Sequence, residues 1–210
     1  MNNKKKGMIK MALNGYKIFI DAGHGGTDPG ASGNGLVEKT IALDIATRLQ
    51  TELQKLGATT RMSRTTDILP SIDSRINSSN SFGANIFVSI HNNSAAITSA
   101  NGIETLVGDN ASKNTINLAK TVSARLASRL GASLRSGIDT GVKRAPADTG
   151  RYVKVVDTAY NKAWAILPEI LFLSNATDAS KLNSATNRQV AAEAIASGIN
   201  TFAGTLPPIN

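Results

Sequence analysis

The stretch Lys17-Ile-Phe-Ile-Asp-Ala-Gly-His-Gly-Gly26 decides the fold of this chain. It joins a short run of β-branched and aromatic residues to a glycine-rich loop, a pattern typical of a buried strand that ends at a ligand-binding edge. Apolar residues then recur at helical spacing from Ile41 to Leu56, and Gly57 supplies a stop signal. A strand, a glycine loop and an amphipathic helix together indicate the first βα unit of a parallel sheet.

The alternation of strands and helices continues along the chain. Further strands are predicted at 58–62, 85–90, 102–107 and 164–173, and further helices at 72–79, 113–130 and 188–202. Strands that alternate with helices favour parallel pairing over hairpins. We therefore expect an α/β fold, a single domain with a mostly parallel, twisted sheet flanked by helices.

The composition excludes several kinds of protein and of site. With 41% hydrophobic and 18% charged residues in 210, the chain does not have the composition of a disordered protein. Its apolar runs are too short to span a bilayer, so no membrane insertion is expected. It contains no cysteine, which rules out disulfides, thiolate nucleophiles and cysteine-based metal centres. A metal ion must be held by carboxylates and by the two histidines, His24 and His91.

The formal net charge of +8 is concentrated in two segments. Residues 1–20 carry five lysines and no acid, and residues 113–154 carry nine basic and two acidic residues. Such charge suggests an anionic partner. Aromatic residues are only 4% of the chain, and no stacking platform or nucleic-acid motif is visible. We therefore expect no nucleic-acid partner.

Both histidines follow apolar strands. His24 lies four residues beyond the first strand, and His91 directly follows another. Because ligands gather at the carboxyl ends of strands in open α/β sheets, both histidines are expected near one site. Glu169 lies within a further apolar strand, where an ionised carboxylate is costly unless it is paired or metal-bound, and Glu38 opens the first helix. The residues alone leave a His/His/carboxylate metal site and ordinary structural histidines as equal alternatives.

Several ordered motifs resemble those of the zinc-dependent N-acetylmuramoyl-L-alanine amidases of the type 3 family. The matching segments are Ile18–Ala31, Gly35–Lys39, Ser63–Asp67 with Arg75, Gly83–Ser94, Gly102–Glu104 and Pro168–Asn175. They occur in the order of the family and cover roughly residues 17–203. Several motifs in order make the resemblance far more specific than one glycine-rich match.

The resemblance implies that His24, Glu38 and His91 bind one Zn²⁺ ion and that Glu169 is the catalytic glutamate. Three protein ligands leave a position for water, whose pKa zinc lowers. Glu169 would take the proton of this water and pass it to the leaving amine. The implied reaction is hydrolysis of the amide bond between N-acetylmuramic acid and L-alanine in bacterial peptidoglycan. Glu104 is the alternative base, although a structural or substrate-side role is favoured for it.

Other residues of the motifs carry weaker expectations. Asp21 is expected either to accept a hydrogen bond from a ligand histidine or to cap the glycine loop. Arg64 and Asp67 are expected to form a structural ion pair or to anchor a loop. The sequence also departs from the family pattern, with Ala22 in place of a common proline and Leu171 in place of the usual glycine. The backbone around Leu171 is therefore harder to predict.

The resemblance also divides the chain. Residues 17–204 are expected to form the zinc amidase catalytic domain, and residues 205–210 a proline-rich tail or the start of a linker. Residues 1–16 are expected to be a basic, mobile extension, since they lack the apolar region and cleavage site of a signal peptide. An enzyme made in the cytoplasm without a signal peptide is expected to reach the wall after holin-type release or cell lysis, as an endolysin or autolysin.

The expected partner is bacterial peptidoglycan, cleaved by a monomer. Basic residues in 113–154 are expected to contact anionic wall polymers. Two alternatives stay open: another zinc-dependent peptidoglycan peptidase or deacetylase, and a non-catalytic module that binds anionic walls.

Overall fold

A six-stranded sheet runs through the computed structural model, which describes residues 13–207. In chain order the strands are β1 (Lys17–Ala22), β2 (Ser32–Gly33), β3 (Leu36–Val37), β4 (Thr59–Met62), β5 (Ile86–Asn93), β6 (Ile103–Gly108), β7 (Val142–Ala145) and β8 (Trp164–Phe172). The helices are α1 (Glu38–Lys55), α2 (Ile72–Phe82), α3 (Lys113–Leu130), α4 (Ala176–Asn183) and α5 (Ala185–Ala203), and a short 3₁₀ helix spans Lys154–Val156.

The order of strands in the sheet is β4-β1-β5-β8-β6-β7, and β2 and β3 form a separate small hairpin. Strands β4, β1, β5 and β8 are parallel to one another. Strand β6 is antiparallel to β8, and β7 is parallel to β6. The prediction of a single α/β domain with a mostly parallel sheet is therefore confirmed.

Local sequence signals set the ends of two helices. The Ser71 side chain accepts a hydrogen bond from the Ser74 amide at the start of α2. The Ser112 side chain accepts one from the Thr115 amide at the start of α3. At their C-terminal ends Gly83 and Gly131 adopt left-handed backbone conformations, with φ of 68° and 57°. Glycine takes this conformation without the steric cost of a side chain.

The two faces of the sheet carry different side chains because neighbouring residues on a strand point to opposite sides. One face packs under α1, α3 and α5 and contains fully buried residues such as Ile18, Val88 and Ile166. The opposite face holds a smaller cluster around Phe19 and Phe87, beneath α2 and the 3₁₀ helix. This second face turns polar at the carboxyl ends of the strands, which is where the cleft described below opens.

Several short elements depart from the sequence prediction. Helix α1 begins at Glu38, before the first apolar residue of its helical pattern. The β2–β3 hairpin, strand β7 and helix α4 have no counterpart among the predicted elements. β2 and β3 have two residues each, and β7 has four with Lys143 and Arg144 at its centre. Elements this short and polar leave no clear periodic pattern.

The N-terminal boundary of the domain also lies earlier than Lys17. Leu13 and Tyr16 belong to the predicted extension, but their exposed fractions are 0% and 2%, and both pack in the main core. Residues 1–12 and 208–210 lie outside the described residues, so the expectations for the two terminal segments fall outside them at these positions. Within 13–207, no helix combines the length and the apolar character needed to cross a membrane.

Candidate active site

A cleft of about 830 Å³ opens at the carboxyl ends of β1, β5 and β8. Residues 69–73 line one side, and residues 151–155 of the loop between β7 and β8 line another. The four side chains predicted for the site all line this cleft: His24, Glu38, His91 and Glu169. Three of these residues come from strand ends or from the loop after a strand, and Glu38 is the first residue of α1.

His24, Glu38 and His91 converge on one point. The Glu38 Oε1 atom lies 3.1 Å from Nε2 of His24 and 2.9 Å from Nδ1 of His91. One candidate ligand atom from each residue lies within 4.8 Å of the other two. Imidazole nitrogens and a carboxylate oxygen are donors that zinc prefers in proteins. The group therefore fits one Zn²⁺ ion, as the sequence resemblance implies.

Glu38 is held by the backbone as well as by the histidines. Its carboxylate accepts hydrogen bonds from the Ala31 amide at 2.8 Å and the Asn92 amide at 3.0 Å. Burial raises the pKa of Glu38, but the hydrogen bonds and charges of the two histidines outweigh it and hold the pKa well below its usual range. Glu38 is therefore an ionised, fixed oxygen donor at the start of α1, where the helix dipole favours negative charge.

Close packing around this group requires glycine at position 30. A Cβ atom on Gly30 would lie 2.6 Å from both Glu38 Oε2 and His24 Cδ2, and the φ of Gly30 is +65°. Any side chain there would displace the candidate ligands.

Two buried arginines hold the loop that carries His24. Arg64 donates to the carbonyl oxygens of Ala22 and Gly23 at 3.0 and 2.7 Å. Arg75 donates to the carbonyls of Ala22 and His24 at 2.7 and 2.8 Å. His24 itself has a φ of 57°, which is uncommon for a residue with a side chain. The two guanidinium groups supply contacts that keep this loop conformation in place.

Arg64 and Asp67 do not pair with each other, although an ion pair was one of the two expectations. Asp67 accepts from the Gly26 amide at 2.8 Å and from the Lys39 ammonium at 2.6 Å. Both residues thus anchor the glycine loop separately, which agrees with the second expectation.

Asp28, which the sequence reasoning missed, is the carboxylate partner of His24. Its Oδ2 atom lies 2.8 Å from the His24 Nδ1 atom. Burial lowers the pKa of His24, but Glu38 and Asp28 outweigh this effect and raise it to about 9. The sequence does indicate this contact, because Asp28 follows His24 by four residues in the same loop and precedes the turn residues Pro29 and Gly30.

Asp21 contacts neither histidine, and this corrects the expectation that it orients a ligand. Its carboxylate pairs with Arg75 and accepts a hydrogen bond from the Ser89 hydroxyl at 2.6 Å. The side chains of Asp21 and Arg75 are 2% and 3% exposed. Burial alone would raise the pKa of Asp21, but the charge of Arg75 and the hydrogen bonds from Ser89 and Arg75 more than offset it and lower the pKa.

We expect Asp21→Asn to lower the free energy of unfolding by about 3 kcal/mol at pH 7, because it leaves the buried Arg75 charge uncompensated. The folded-state pKa is depressed, so the carboxylate stabilises the fold above the pKa of free aspartate, about 3.9. This stabilisation is lost as the pH falls through the folded-state pKa. Urea unfolding at several pH values should therefore show the two proteins converging below about pH 4.

The control for this measurement is Lys120→Gln, which removes an ion pair with Asp139 whose side chains are 46% and 37% exposed. Its cost should stay below about 1 kcal/mol. An Asp21→Asn protein as stable as the wild type at pH 7 would contradict the role of the buried pair.

Glu169 lies between two titratable side chains in the sheet. On β8 it is opposite His91 of β5 on one side and Glu104 of β6 on the other. It is 6% exposed, and its Oε2 atom is buried without a hydrogen-bond partner among the described residues. The pKa of Glu169 is raised to about 7, mainly by burial. His91 and Arg151 lower this pKa, and the negative charge of Glu38 raises it further. A carboxylate of this kind can accept and release a proton near neutral pH.

Glu104, the alternative base, has its carboxylate engaged by three side chains. Arg135 and Lys143 contact its Oε2 at 2.6 and 2.8 Å, and Asn93 donates to its Oε1 at 2.9 Å. These contacts favour the structural role that the sequence reasoning preferred.

Leu171 occupies an irregular point of β8 beside the site. His91 pairs with Glu169 and Asn93 with Phe172, so β8 contains one more residue than β5 in this interval. Leu171 has a φ of 64°, a conformation that glycine adopts more easily. The side chain is fully buried, and its apolar contacts offset the strain. The sequence left the backbone around Leu171 hard to predict, and the structure has a β-bulge there.

The amino-acid sequence of this chain is similar to those of known amidases. Residues 18–201 match the protein family described as N-acetylmuramoyl-L-alanine amidase. The N-acetylmuramoyl-L-alanine amidase LytC of Bacillus subtilis (strain 168) is 39% identical over 203 residues, which are 96% of this chain and 38% of LytC. The uncharacterized protein YqiI of the same strain is 36% identical over 90% of this chain and 86% of YqiI. The chain thus spans well under half of LytC and most of YqiI.

Solved structures show the same fold. An N-acetylmuramoyl-L-alanine amidase from Clostridium difficile 630 superposes with a TM-score of 0.80 at 29% identity, covering 90% of this chain and 97% of that one. The catalytic domain of CwlV, an N-acetylmuramoyl-L-alanine amidase from Bacillus (Paenibacillus) polymyxa var. colistinus, gives 0.77 at 28% identity, covering 89% and 97%. The chain therefore belongs to the N-acetylmuramoyl-L-alanine amidase family.

Proposed function

We propose that this chain is a zinc-dependent amidase that cleaves the bond between N-acetylmuramic acid and L-alanine in bacterial peptidoglycan. The observation that carries the proposal is the convergence of His24, Glu38 and His91 beside Glu169, whose Oε2 atom has no hydrogen-bond partner within residues 13–207. Family membership supports it, because zinc dependence is typical of this family and the matched residues span nearly the whole chain.

His24, Glu38 and His91 would hold the metal. When bound there, zinc supplies a Lewis acid at the scissile amide. Asp28 accepts a hydrogen bond from Nδ1 of His24 and so orients the ring with Nε2 toward Glu38 and His91. Arg64 and the backbone of the glycine loop keep this ring in place.

Glu169 would move the protons of the reaction. Its Oε2 atom takes a proton from the attacking water and then delivers it to the nitrogen of the leaving L-alanine. Burial favours the neutral form of this carboxyl and raises its pKa above the usual range, which suits a group that must hold a proton between the two steps. The cleft walls at 69–73 and 151–155 would hold the stem peptide in place.

We expect Asp28→Asn to weaken zinc binding by about 10- to 100-fold, because the loss of a carboxylate behind a ligand histidine commonly has this effect. Competition with a chromophoric chelator measures it directly. Asp73→Asn is the matched control, since it removes a carboxylate from the same cleft whose partner is Lys154 rather than a histidine. Equal zinc affinities for Asp28→Asn and the control would show that Asp28 does not support the metal.

Digestion of purified cell walls tests the activity. The proposed amidase releases new L-alanine amino termini without new reducing sugars. Amino termini of other residues would indicate the alternative peptidase, and released acetate the alternative deacetylase. Binding to walls without any released product would indicate the non-catalytic module.

Other expectations about the protein in the cell also stay proposals. We propose that it acts at the cell wall; holin-type release or cell lysis as the route, and the monomeric state, are untested predictions. Six of the nine basic residues in 113–154 form ion pairs within the described part of the chain: Lys120, Arg129, Arg135, Lys143, Arg151 and Lys154. Arg125 donates to the Thr201 hydroxyl, so attraction of anionic wall polymers would depend mainly on Lys113 and Arg144.

A further inference from the structure

One cationic side chain of the cleft remains available to a ligand. Arg75, Arg151 and Lys154 are the lysine and arginine residues that line the cleft within 13–207. Arg75 is buried against Asp21, and Lys154 donates to Asp73 at 2.6 Å, so the protein itself neutralises both. The Arg151 side chain is 68% exposed, and its one side-chain contact within the described part is a long one, 3.5 Å to Oε1 of Glu169.

The carboxylates of the cleft already have partners. Five carboxylates line it: Asp21, Asp28, Glu38, Asp73 and Glu169. Asp21 and Asp73 pair with Arg75 and Lys154, and Asp28 and Glu38 contact His24, so a cation that faces the solvent is the best place for an anionic group of a substrate. The guanidinium of Arg151 presents five N–H donors in a planar fork that matches a carboxylate, and the single long contact with Glu169 leaves most of them available.

The contact with Glu169 also places Arg151 relative to the reaction. Glu169 is proposed to return its proton to the nitrogen of L-alanine, so a group beside Glu169 lies near the peptide side of the cleaved bond. The second residue of the stem peptide is a glutamate linked through its side-chain carboxyl. Its α-carboxyl group is a free carboxylate in some cell walls and a neutral carboxamide in others.

We propose that Arg151 binds this α-carboxylate and makes the enzyme prefer stem peptides in which it is not amidated. The inference rests on the proposed function, which gives the orientation of the peptide. Arg151 is in this view a residue that determines substrate specificity, carried by the loop between β7 and β8. The neighbouring Lys154 cannot take the same role while it is paired with Asp73.

Two matched substrates test the proposal: N-acetylmuramoyl-L-Ala-γ-D-Glu-L-Lys and the same molecule with the α-carboxyl amidated. Zinc-loaded wild type, Arg151→Gln, Arg151→Lys and the control Arg125→Gln are compared for kcat and KM on both. Arg125 is an exposed residue of α3, on the opposite side of the sheet, and contacts Thr201 of α5. Calorimetry with the two released tripeptides measures the same preference without turnover.

The wild type and Arg125→Gln should show a KM about five- to tenfold lower for the carboxylate substrate, as expected for a partly exposed charge-assisted pair. Arg151→Gln should lose this preference, so that its KM values for the two substrates agree within about twofold, and Arg151→Lys should keep part of the preference because only the bidentate geometry is lost.

A wild type without preference would overturn the proposal. So would an Arg151→Gln protein that keeps the KM preference while its kcat falls equally on both substrates, because Arg151 would then act through Glu169 and not bind the peptide. If neither substrate is cleaved but the tripeptides show the Arg151-dependent preference, the proposed reaction fails and the carboxylate site stands.

Discussion

Replacing Glu169 by glutamine is expected to lower kcat by about a thousandfold while bound zinc is retained. Glutamine has nearly the shape of glutamate but cannot accept the proton of the attacking water. The Oε2 atom of Glu169 has no hydrogen-bond partner among the described residues, so the substitution breaks no internal contact of that atom. The loss should therefore appear in turnover, measured as the release of L-alanine amino termini from a defined muramoyl peptide.

Glu104→Gln is the matched control, because Glu104 lies opposite Glu169 in the sheet and is equally buried. Its carboxylate neutralises Arg135 and Lys143, so the variant should lose stability first and turnover much less. Thermal unfolding and zinc content are measured on both variants. A fully active Glu169→Gln protein, with Glu104→Gln inactive but folded, would move the role of base to Glu104.

Replacing Glu38 by glutamine is expected to remove most of the zinc and, with it, most of the activity. The Oε1 atom of Glu38 is the point at which the two histidine nitrogens meet, at 3.1 and 2.9 Å. A neutral amide oxygen is a poorer zinc ligand than a carboxylate. Loss of a direct ligand should exceed the roughly 10- to 100-fold weakening that follows loss of an outer partner such as Asp28.

Metal analysis after dialysis, together with wall hydrolysis at increasing zinc concentrations, measures this effect. Glu52→Gln is the control, because it removes a carboxylate of the same helix that pairs with Lys55 and Gln189 and does not line the cleft. Activity of Glu38→Gln should rise at high zinc concentration if the variant is folded. Wild-type zinc content in dialysed Glu38→Gln would exclude Glu38 as a ligand.

The sequence predicts the parts of the site that depend on regular structure. Strands β1, β5 and β8 are mostly apolar, and His24, His91 and Glu169 lie at or within their carboxyl-terminal halves, so their meeting follows from parallel pairing. Glu38 depends on the family resemblance, since its position before the apolar pattern of α1 does not by itself reveal a ligand.

The remaining contacts depend on tertiary structure. Arg64 and Arg75 donate hydrogen bonds to carbonyl oxygens of the glycine loop. These contacts depend on the path of the loop backbone, which no residue pattern predicts. Arg129 of α3 pairs with Glu193 of α5, which is far away in sequence. Because such pairs cannot be seen in the sequence, the net charge of residues 113–154 overstates the unpaired positive charge on the surface. Asp28 was within reach of sequence reasoning, because it lies in the same loop as His24.

The identity of the cleaved bond is the central claim, and hydrolysis of one muramoyl tripeptide in ¹⁸O-labelled water tests it most directly. Mass spectrometry should find one ¹⁸O atom in the lactyl carboxylate of N-acetylmuramic acid and an unlabelled tripeptide with a new L-alanine amine, and a zinc chelator should abolish both products. Label in a peptide carboxyl group, in acetate or at a sugar reducing end would contradict the account, as would full activity after zinc removal.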